Sequence, residues 1–431
     1  MVNKNRNLFS ILFVILIYAS ILLPSGSILG VNVKTITAIF LMVAVLLIFI
    51  SNSFFSFKEI SLLLLFMAFM TFYSTLSIIN GYSIASILSQ ISAILATIIP
   101  MWIGALIIRR GFLGLSKAIN ILITIALIHA TIKLVSFVLI TVGIISLADY
   151  TAMQSEIFGV LPISLEVDNF VRLNVPSDFI FPVVLMLCLI SEMGYIRKYF
   201  SIAIILLAIV VTYSRYLWLY AVLVLLVYYC SSLFKSLMTN DARNSTGIKV
   251  SSLLFFIFII ALSVIIIIIF YMNNNTGNDF ITNFIKERYT GDNASASDYT
   301  RTVMYTWLSS AVLDSPIIGS GLGSYILQYR RFYETPWNYE LQWLALTMNF
   351  GIIGIIYIFT QLAIYYKKII FNFFEVEMID KTFVWIIGMV LWLSVGFFNC
   401  FLITSSAGVV FWGFWLYLEK IKEYNQKIKG S

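Results

Sequence analysis

The sequence predicts an all-α polytopic membrane protein with about 12 transmembrane helices and one large external loop that contains short helices. Three observations predict this fold class. Hydrophobic residues make up 61% of the 431 residues and charged residues only 11%, whereas roughly a quarter of a soluble domain is charged. Apolar runs near the length that crosses a bilayer, about 20 residues, recur along the chain. One long polar stretch, Asn273 to Trp337, interrupts them.

The apolar runs divide the chain into twelve predicted spans. The first reads as an ordinary helix rather than a cleaved signal, because no small-residue cleavage site leads into a soluble domain. The run 117–147 is too long for one straight span, and the runs 179–194, 199–213 and 405–419 are short. The predicted spans are 8–24, 32–52, 60–79, 84–108, 117–147, 179–194, 199–213, 216–236, 250–272, 340–366, 382–402 and 405–419.

Lysine and arginine predict the orientation, because the cytoplasmic loops of membrane proteins are enriched in both. With the N-terminus inside, 18 of the 27 basic residues fall in or next to cytoplasmic segments. We therefore expect both termini in the cytoplasm, and the net charge of +7 needs no nucleic-acid partner. These 18 residues are Lys4, Arg6, Lys58, Arg109, Arg110, Lys117, Arg197, Lys198, Lys235, Arg243, Lys249, Lys367, Lys368, Lys381, Lys420, Lys422, Lys427 and Lys429.

This topology predicts three regions. Residues 1–272 hold the first nine spans and an outer loop at 148–178. Residues 273–339 form the large periplasmic loop. Residues 340–431 hold the last three spans and a cytoplasmic tail.

Cysteine and histidine usage excludes several kinds of site. Cys188, Cys230 and Cys400 lie in apolar runs, at spacings that form neither a disulfide framework nor a zinc pattern. His129 is the only histidine and lies within the run 117–147, so a histidine relay or histidine metal site is not expected. An ionisable residue in a span is either functional or part of a helix–helix hydrogen bond, and both readings stay open for His129.

Two arginines stand at predicted outer ends of spans. Arg172 precedes Pro176, where the chain re-enters the membrane, and Arg215 lies in the turn between two spans. A charge beside the hydrocarbon core is costly unless it is paired or used. The alternative for Arg215 is a side chain that snorkels to the interface.

A third arginine lies in a helix predicted within the polar loop. Ser297-Asp298 is a suitable N-cap, and Arg301, Tyr305, Leu308 and Val312 share one face. Arg301 would then lie in the first turn, where a positive charge opposes the helix dipole and invites an anion. The alternative is a solvated helix residue.

Glu340 is the acid that best fits a proton acceptor. It lies at the mouth of a predicted span, close to Trp337 and Trp343, and has no basic residue three or four positions away. Desolvation beside these rings would make the carboxylate a better base. The alternative is an interfacial acid that faces water.

These segments resemble the bacterial O-antigen polymerase and O-antigen ligase superfamily. The resemblance rests on Ser214-Arg215, on Arg301 with Trp307 and the following Ser315-Pro-Ile-Ile-Gly-Ser-Gly-Leu-Gly-Ser-Tyr325, and on Gly351-Ile-Ile-Gly354. Alone, Gly319-Ser-Gly-Leu-Gly323 lacks the ending of a phosphate-binding loop and predicts a tight or flexible turn. Hydropathy is similar over the whole chain, whereas the motifs cover about 172–182 and 213–354.

The resemblance implies a GT-C-like membrane glycosyltransferase in the bacterial inner membrane. Its substrates would be undecaprenyl-diphosphate-linked oligosaccharides, and its partners the bilayer and a chain-length-regulating membrane protein. Family ligases carry a His-Asn pair about eleven residues before the glycine that matches Gly351, and here Glu340-Leu341 stands in that place. The departure favours the polymerase branch.

The chemistry assigns roles to nine residues. Arginine forks bind diphosphate in pairs, and no acid cluster stands in the large loop, Glu166-Val-Asp168 elsewhere being a weak exception. We therefore expect catalysis without metal or cofactor. The predicted catalytic residues are Glu340, Arg215 and Arg301, and the predicted substrate-binding residues are Arg172, Arg288, Tyr305, Arg330, Arg331 and Trp337.

Three other functions remain open from sequence. An O-antigen ligase would use the same donor. A lipid-linked oligosaccharide flippase or other transporter also has about twelve spans, but transporters tend to carry internal repeats and midplane charges, and we find no half-to-half repeat. A structural membrane protein would not require three arginines at outer span ends.

Overall fold

The computed structural model describes residues 2–23, 27–28, 31–51, 56–158, 166–167, 170–171, 173–238, 292–370 and 379–430. The regular structure of these residues is helical apart from two antiparallel pairs of two-residue strands, which the all-α expectation did not include. The strands are β1 Ser27–Ile28, β2 Val31–Asn32, β3 Glu166–Val167 and β4 Phe170–Val171. The helices are α1 Val2–Leu22, α2 Val33–Ser51, α3 Phe57–Ile79, α4 Ile84–Arg109, α5 Leu115–Thr141, α6 Leu147–Phe158, α7 Ile180–Ile190, α8 Tyr195–Val211, α9 Arg215–Met238, α10 Asp292–Asp314, α11 Gln342–Ile370, α12 Ile379–Ser394 and α13 Ser405–Gly430.

Every predicted span overlaps one of these helices except 250–272, which lies outside the described residues. Four helical segments of the described chain are long and apolar enough to cross a membrane: Glu59–Ile79, Ile84–Arg109, Leu115–Thr141 and Gln342–Tyr366. Shorter apolar helices occupy Leu8–Leu22, Pro176–Ile190, Arg215–Ser231 and Lys381–Phe397. The protein is therefore a helical membrane protein, and the count of about twelve spans stays a prediction.

Two helix boundaries resolve uncertainties of the sequence. The long run 117–147 contains the end of α5 at Thr141 and a turn at Gly143, whose φ of 78° lies in the left-handed region, before α6 begins. The run 405–419 is short only in its apolar part, because α13 continues through polar residues to Gly430.

Helix α7 forms the centre of the core. Every residue from Ile180 to Ile190 is buried, as expected for a helix that is apolar on all sides. It packs among α5, α8, α9, α12 and α13. A 3₁₀ turn, Pro176–Phe179, leads into it, so the chain enters the core immediately after the outer loop.

An ion pair and a cation–π contact join helices at the C-terminal end of α4. At one end, the Arg110 Nη2 atom lies 3.1 Å from the Glu59 Oε2 atom, and the Arg109 guanidinium lies 5.3 Å from the Trp415 ring centroid. Arg109 and Arg110 were predicted in a cytoplasmic segment. Which end faces the cytoplasm stays a prediction.

Candidate functional site

The polar segment after α10 is built into the membrane helices through its glycines. Gly321 has a φ of 101°, and a Cβ atom there would lie 2.5 Å from the Ser77 backbone nitrogen of α3. Only glycine permits both that conformation and that approach. The Asn80 side chain of α3 also donates to the Ser320 carbonyl over 2.9 Å. The glycine-rich motif is thus a tight turn, the first of the two alternatives predicted from sequence.

The same segment pairs with a break in α11. Gly351 has φ 60° and ψ −174°, which interrupts the helix. Backbone groups freed by the break find partners in the loop: Gly321 N donates to Asn349 O over 2.8 Å, and Ile352 N donates to Pro316 O over 2.9 Å. Non-helical backbone at membrane depth requires such partners, so the loop and the broken helix form one unit.

Four charged side chains meet beside this unit. The Arg331 Nη2 and Nε atoms lie 2.8 and 3.1 Å from the Glu340 Oε1 atom. The Arg301 Nε atom lies 3.4 Å from the Glu340 Oε2 atom, and the Arg301 Nη1 atom lies 3.2 Å from Asp298 Oδ1. We call Asp298, Arg301, Arg331 and Glu340 the arginine–carboxylate cluster.

The cluster is reachable from solvent. The Glu340 side chain is 18% exposed, that of Arg301 27% and that of Arg331 41%. Guanidinium groups that are fixed by carboxylates and still accessible can exchange those carboxylates for a phosphate ligand. The cluster is therefore suited to bind an anion.

The structure adds to the sequence analysis at Glu340. No basic residue stands three or four positions from Glu340, but Arg301 and Arg331 both contact its carboxylate in the fold. Arg301 and Arg331 precede Glu340 by 39 and nine residues, so they lie beyond the i±3 and i±4 range of helix neighbours. The surroundings of Glu340 therefore include two arginines as well as the tryptophans that the sequence indicated.

The helix around Arg301 is corrected. It begins at Asp292, not after Asp298, so Arg301 lies beyond the first turn and the predicted conflict with the helix dipole does not arise. Met304 and Leu308 are fully buried, whereas Tyr305 is 60% exposed. Tyr305 therefore faces away from the packed side, where an exposed ring remains available for a substrate.

Aromatic residues hold the chain between the glycine turn and Glu340. The Tyr339 hydroxyl accepts a hydrogen bond from Ile326 N over 2.9 Å and donates to Tyr329 O over 3.1 Å. Burial raises the pKa of Tyr339 to about 12, so the phenol keeps the proton that it donates. This tyrosine therefore ties the chain after Arg330 and Arg331 to the backbone that precedes them.

Trp337 and Arg330 belong to the same chain segment and make different contacts. Trp337 is 5% exposed, and its Nε1 atom donates to Ser89 Oγ of α4 over 3.2 Å. That contact anchors the segment, and a substrate-binding role for Trp337 stays a prediction. The Arg330 guanidinium lies 4.8 Å from the Tyr325 ring centroid, and its predicted contact with substrate is likewise untested.

The remaining predicted arginines are placed only in part. Arg215 is the first residue of α9, and it follows a turn in which Tyr213 adopts a φ of 47°. Such a conformation is uncommon for a bulky residue and tends to occur at functional sites. Arg172 and Arg288 lie outside the described residues. The convergence of Arg215 with Arg301 therefore stays a prediction.

A buried charged group that the sequence analysis missed lies between α5 and the turn before α7. The Lys133 Nζ atom lies 2.6 Å from Asp178 Oδ2, and the His129 Nε2 atom lies 3.0 Å from Asp178 Oδ1. Lys133 also donates to the Leu173 carbonyl over 2.6 Å, and Val175 N donates to Asp178 Oδ2 over 2.9 Å. The signal was present: His129 and Lys133 are four residues apart and so share one helix face.

This buried group has a structural effect. It joins α5 to the 3₁₀ turn, so His129 takes part in an inter-element hydrogen bond, one of its two predicted readings. Asp178 is fully buried and paired with Lys133, and it cannot meet an acceptor hydroxyl in this conformation. Across the described residues, no group of three or more His, Cys, Asp or Glu side chains could hold a metal ion, and catalysis without metal stays a prediction.

An apolar cavity of about 280 Å³ lies between α3, α4 and α11. Its wall is formed mainly by apolar side chains such as Phe66, Met70 and Phe350, with Glu59 and Arg109 at one end. Trp343, three residues after Glu340, lines the other end. The cavity and the arginine–carboxylate cluster are thus connected along the chain through the start of α11.

Comparison with protein families gives a match over the region of the candidate site. Residues 200–359 match a family model described as O-Antigen ligase, a stretch that contains Arg215, the arginine–carboxylate cluster and the broken helix. No curated protein and no solved structure matches the chain.

Proposed function

We propose that this member of the O-antigen ligase and polymerase superfamily polymerises undecaprenyl-diphosphate-linked oligosaccharide repeat units. The growing glycan is transferred from its lipid diphosphate to a new lipid-linked repeat unit at the outer face of the bacterial inner membrane. One observation carries the proposal. Arg301 and Arg331 converge on Glu340 within the segment that the family match covers.

The reaction needs a cationic site more than a nucleophile. The donor sugar is already activated by its diphosphate, and negative charge grows on that diphosphate as the bond to the sugar breaks. Arginine suits this task because its planar fork donates hydrogen bonds in pairs to phosphate oxygens. Removing one such donor typically costs about 2.7–4 kcal/mol of barrier, roughly 10²–10³ in rate.

The proposal assigns these roles to named side chains. Arg301 and Arg215 stabilise the leaving diphosphate, and Glu340 takes the proton of the acceptor hydroxyl. Further contacts to the lipid-linked substrates are assigned to residues along the same outer face. These are Arg172, Arg288, Tyr305, Arg330, Arg331 and Trp337.

The apolar cavity supports a lipid-linked substrate. Its apolar wall and its end at Trp343 suit a polyprenyl tail that lies among the helices while the diphosphate reaches the arginine–carboxylate cluster. The proposal includes about twelve spans, with both termini in the cytoplasm and residues 273–339 in the periplasm. A membrane protein that regulates chain length is a proposed partner.

Polymerase is favoured over ligase by the single histidine. The family ligases have a histidine in an external segment. The one histidine of this chain, His129, is instead hydrogen-bonded to Asp178 in the buried core. Ligase is the second candidate, because the matching family model is described as O-Antigen ligase. A flippase would not need cationic side chains fixed for chemistry at one face.

Deletion of the gene separates the two candidates. Loss of a polymerase leaves one repeat unit on the acceptor saccharide, because another enzyme still performs ligation. Loss of a ligase leaves all repeat units on undecaprenyl diphosphate and none on the acceptor. Electrophoresis of the surface glycan, together with mass spectrometry of the lipid-linked pool, distinguishes these outcomes, and we expect the first.

A further inference from the structure

In this structure the arginine–carboxylate cluster is occupied by its own acids. The two arginines carry two positive charges, and Asp298 and Glu340 carry two negative charges in direct contact with them. The cluster is thus balanced before any substrate arrives. A diphosphate that engages the same guanidinium nitrogens therefore displaces a carboxylate.

We infer that Glu340 is a resident counter-ion which the donor diphosphate displaces, and that this displacement frees the Glu340 carboxylate to accept the proton of the acceptor hydroxyl. The inference rests on the proposed function. To that function it adds a sequence of events, because the Glu340 base becomes available only after the donor is bound.

The geometry shows where displacement begins. Arg331 directs two nitrogens to one Glu340 oxygen, at 2.8 and 3.1 Å. Arg301 is held more loosely, since its Nε atom lies 3.4 Å from the other oxygen and has no hydrogen-bond partner although the atom is buried. A buried donor without an acceptor is unfavourable, so Arg301 Nε gains a hydrogen bond when a phosphate oxygen takes the place of the Glu340 carboxylate.

The competition favours the diphosphate. Ion pairs between partly exposed side chains contribute little net free energy, because water solvates the separated partners well. A diphosphate presents more acceptor oxygens than one carboxylate and can engage both arginine forks at once. Asp298, whose side chain is 68% exposed, offers still less resistance than Glu340.

The freed carboxylate completes a balanced transfer step. The acceptor hydroxyl oxygen forms a bond to the anomeric carbon of the donor sugar, and its proton passes to Glu340. The bond between that carbon and the diphosphate oxygen breaks, and the diphosphate leaves with the electron pair. Arg301 and Arg331 hold the added charge, and Glu340 releases its proton to water once the product departs.

The test compares binding with turnover in the full-length protein in detergent, with undecaprenyl diphosphate as the probe for binding. Glu340→Gln removes the competing charge and keeps the side-chain shape. We expect it to bind the probe about two- to five-fold more tightly than the wild type, in keeping with a modest ion pair, while transfer falls by about 10²-fold or more, as loss of a general base entails. Glu423→Gln is the matched control, because it removes a carboxylate from a pair with Lys420 on α13 and should change neither quantity.

The outcomes separate this inference from the proposed function. If Glu340→Gln binds the probe with wild-type or weaker affinity while Arg301→Ala loses affinity, the counter-ion role is wrong and the diphosphate site stands. If Arg301→Ala binds and transfers like the wild type, the proposed function itself fails. Tighter binding with slower transfer in Glu340→Gln supports the inference.

Discussion

Replacing Gly351 with alanine should separate the polar loop from the membrane helices. Gly351 has φ 60° and ψ −174°, a region that is essentially restricted to glycine and costs another residue about 1–3 kcal/mol. An alanine Cβ atom would also lie 2.3 Å from the Ile317 carbonyl oxygen. This oxygen belongs to backbone that accepts from Ile353 N, so it cannot move without breaking the pairing.

The backbone strain and the steric overlap together lower the free energy of unfolding by a measurable amount. Overpacking in a well-packed region typically costs a further 1–3 kcal/mol or so, giving about 2–6 kcal/mol against a total stability of about 5–15 kcal/mol for a folded protein. Thermal unfolding of the purified protein in detergent measures the loss. We expect Gly351→Ala to unfold at a clearly lower temperature than the wild type.

Two other glycines serve as controls for the two contributions. Gly143 has a φ of 78° but open space around its Cβ position, so Gly143→Ala tests only the cost of the strained backbone conformation. Gly114 has neither a positive φ nor a neighbour within 4 Å, so Gly114→Ala should be nearly neutral. If Gly351→Ala unfolds no earlier than Gly143→Ala, the close pairing of the loop with the broken helix is refuted.

Two further predictions concern the buried charges and the topology. Lys133→Met leaves the Asp178 carboxylate buried without its lysine and should lower the free energy of unfolding by about 3–5 kcal/mol. The double variant with Asp178→Asn should recover much of that loss. Equal melting temperatures for the single and double variants would contradict the Lys133–Asp178 pairing at 2.6 Å. Reporter fusions at Asn240, Asn274 and Ser431 should read cytoplasm, periplasm and cytoplasm, and a cytoplasmic signal at Asn274 would place the arginine–carboxylate cluster on the wrong side of the membrane.

Hydropathy predicted the helices well because it depends only on local composition. The runs 60–79 and 84–108 coincide with α3 and α4 almost residue for residue. Helix ends that depend on polar residues were less predictable. Helix α10 begins six residues before its expected N-cap, because Ser297-Asp298 is a permitted cap and the sequence does not say whether it is used.

The contacts of the candidate site could be predicted only in part. Glycines at 319, 321 and 323 indicated a tight turn, but two of the helices that the turn contacts, α3 and α4, are more than 230 residues away in sequence, as in the bond from Ser86 Oγ to Gly323 O. The arginine partners of Glu340 were likewise invisible to spacing rules, which reach only one helical turn. The residue types indicated an anion site, but only the tertiary packing determines which acid pairs with its arginines.

The transfer of glycan between lipid-linked repeat units by the purified protein tests the central claim most directly. Wild-type protein, Arg301→Ala and Arg301→Lys are compared with Arg110→Ala, a control that breaks an arginine–glutamate pair at the opposite end of the helices. We predict polymer from the wild type and from Arg110→Ala, a loss of roughly 10²–10³ in rate for Arg301→Ala, and poor rescue by lysine, which lacks the planar fork. Polymer at the wild-type rate from Arg301→Ala would contradict the account.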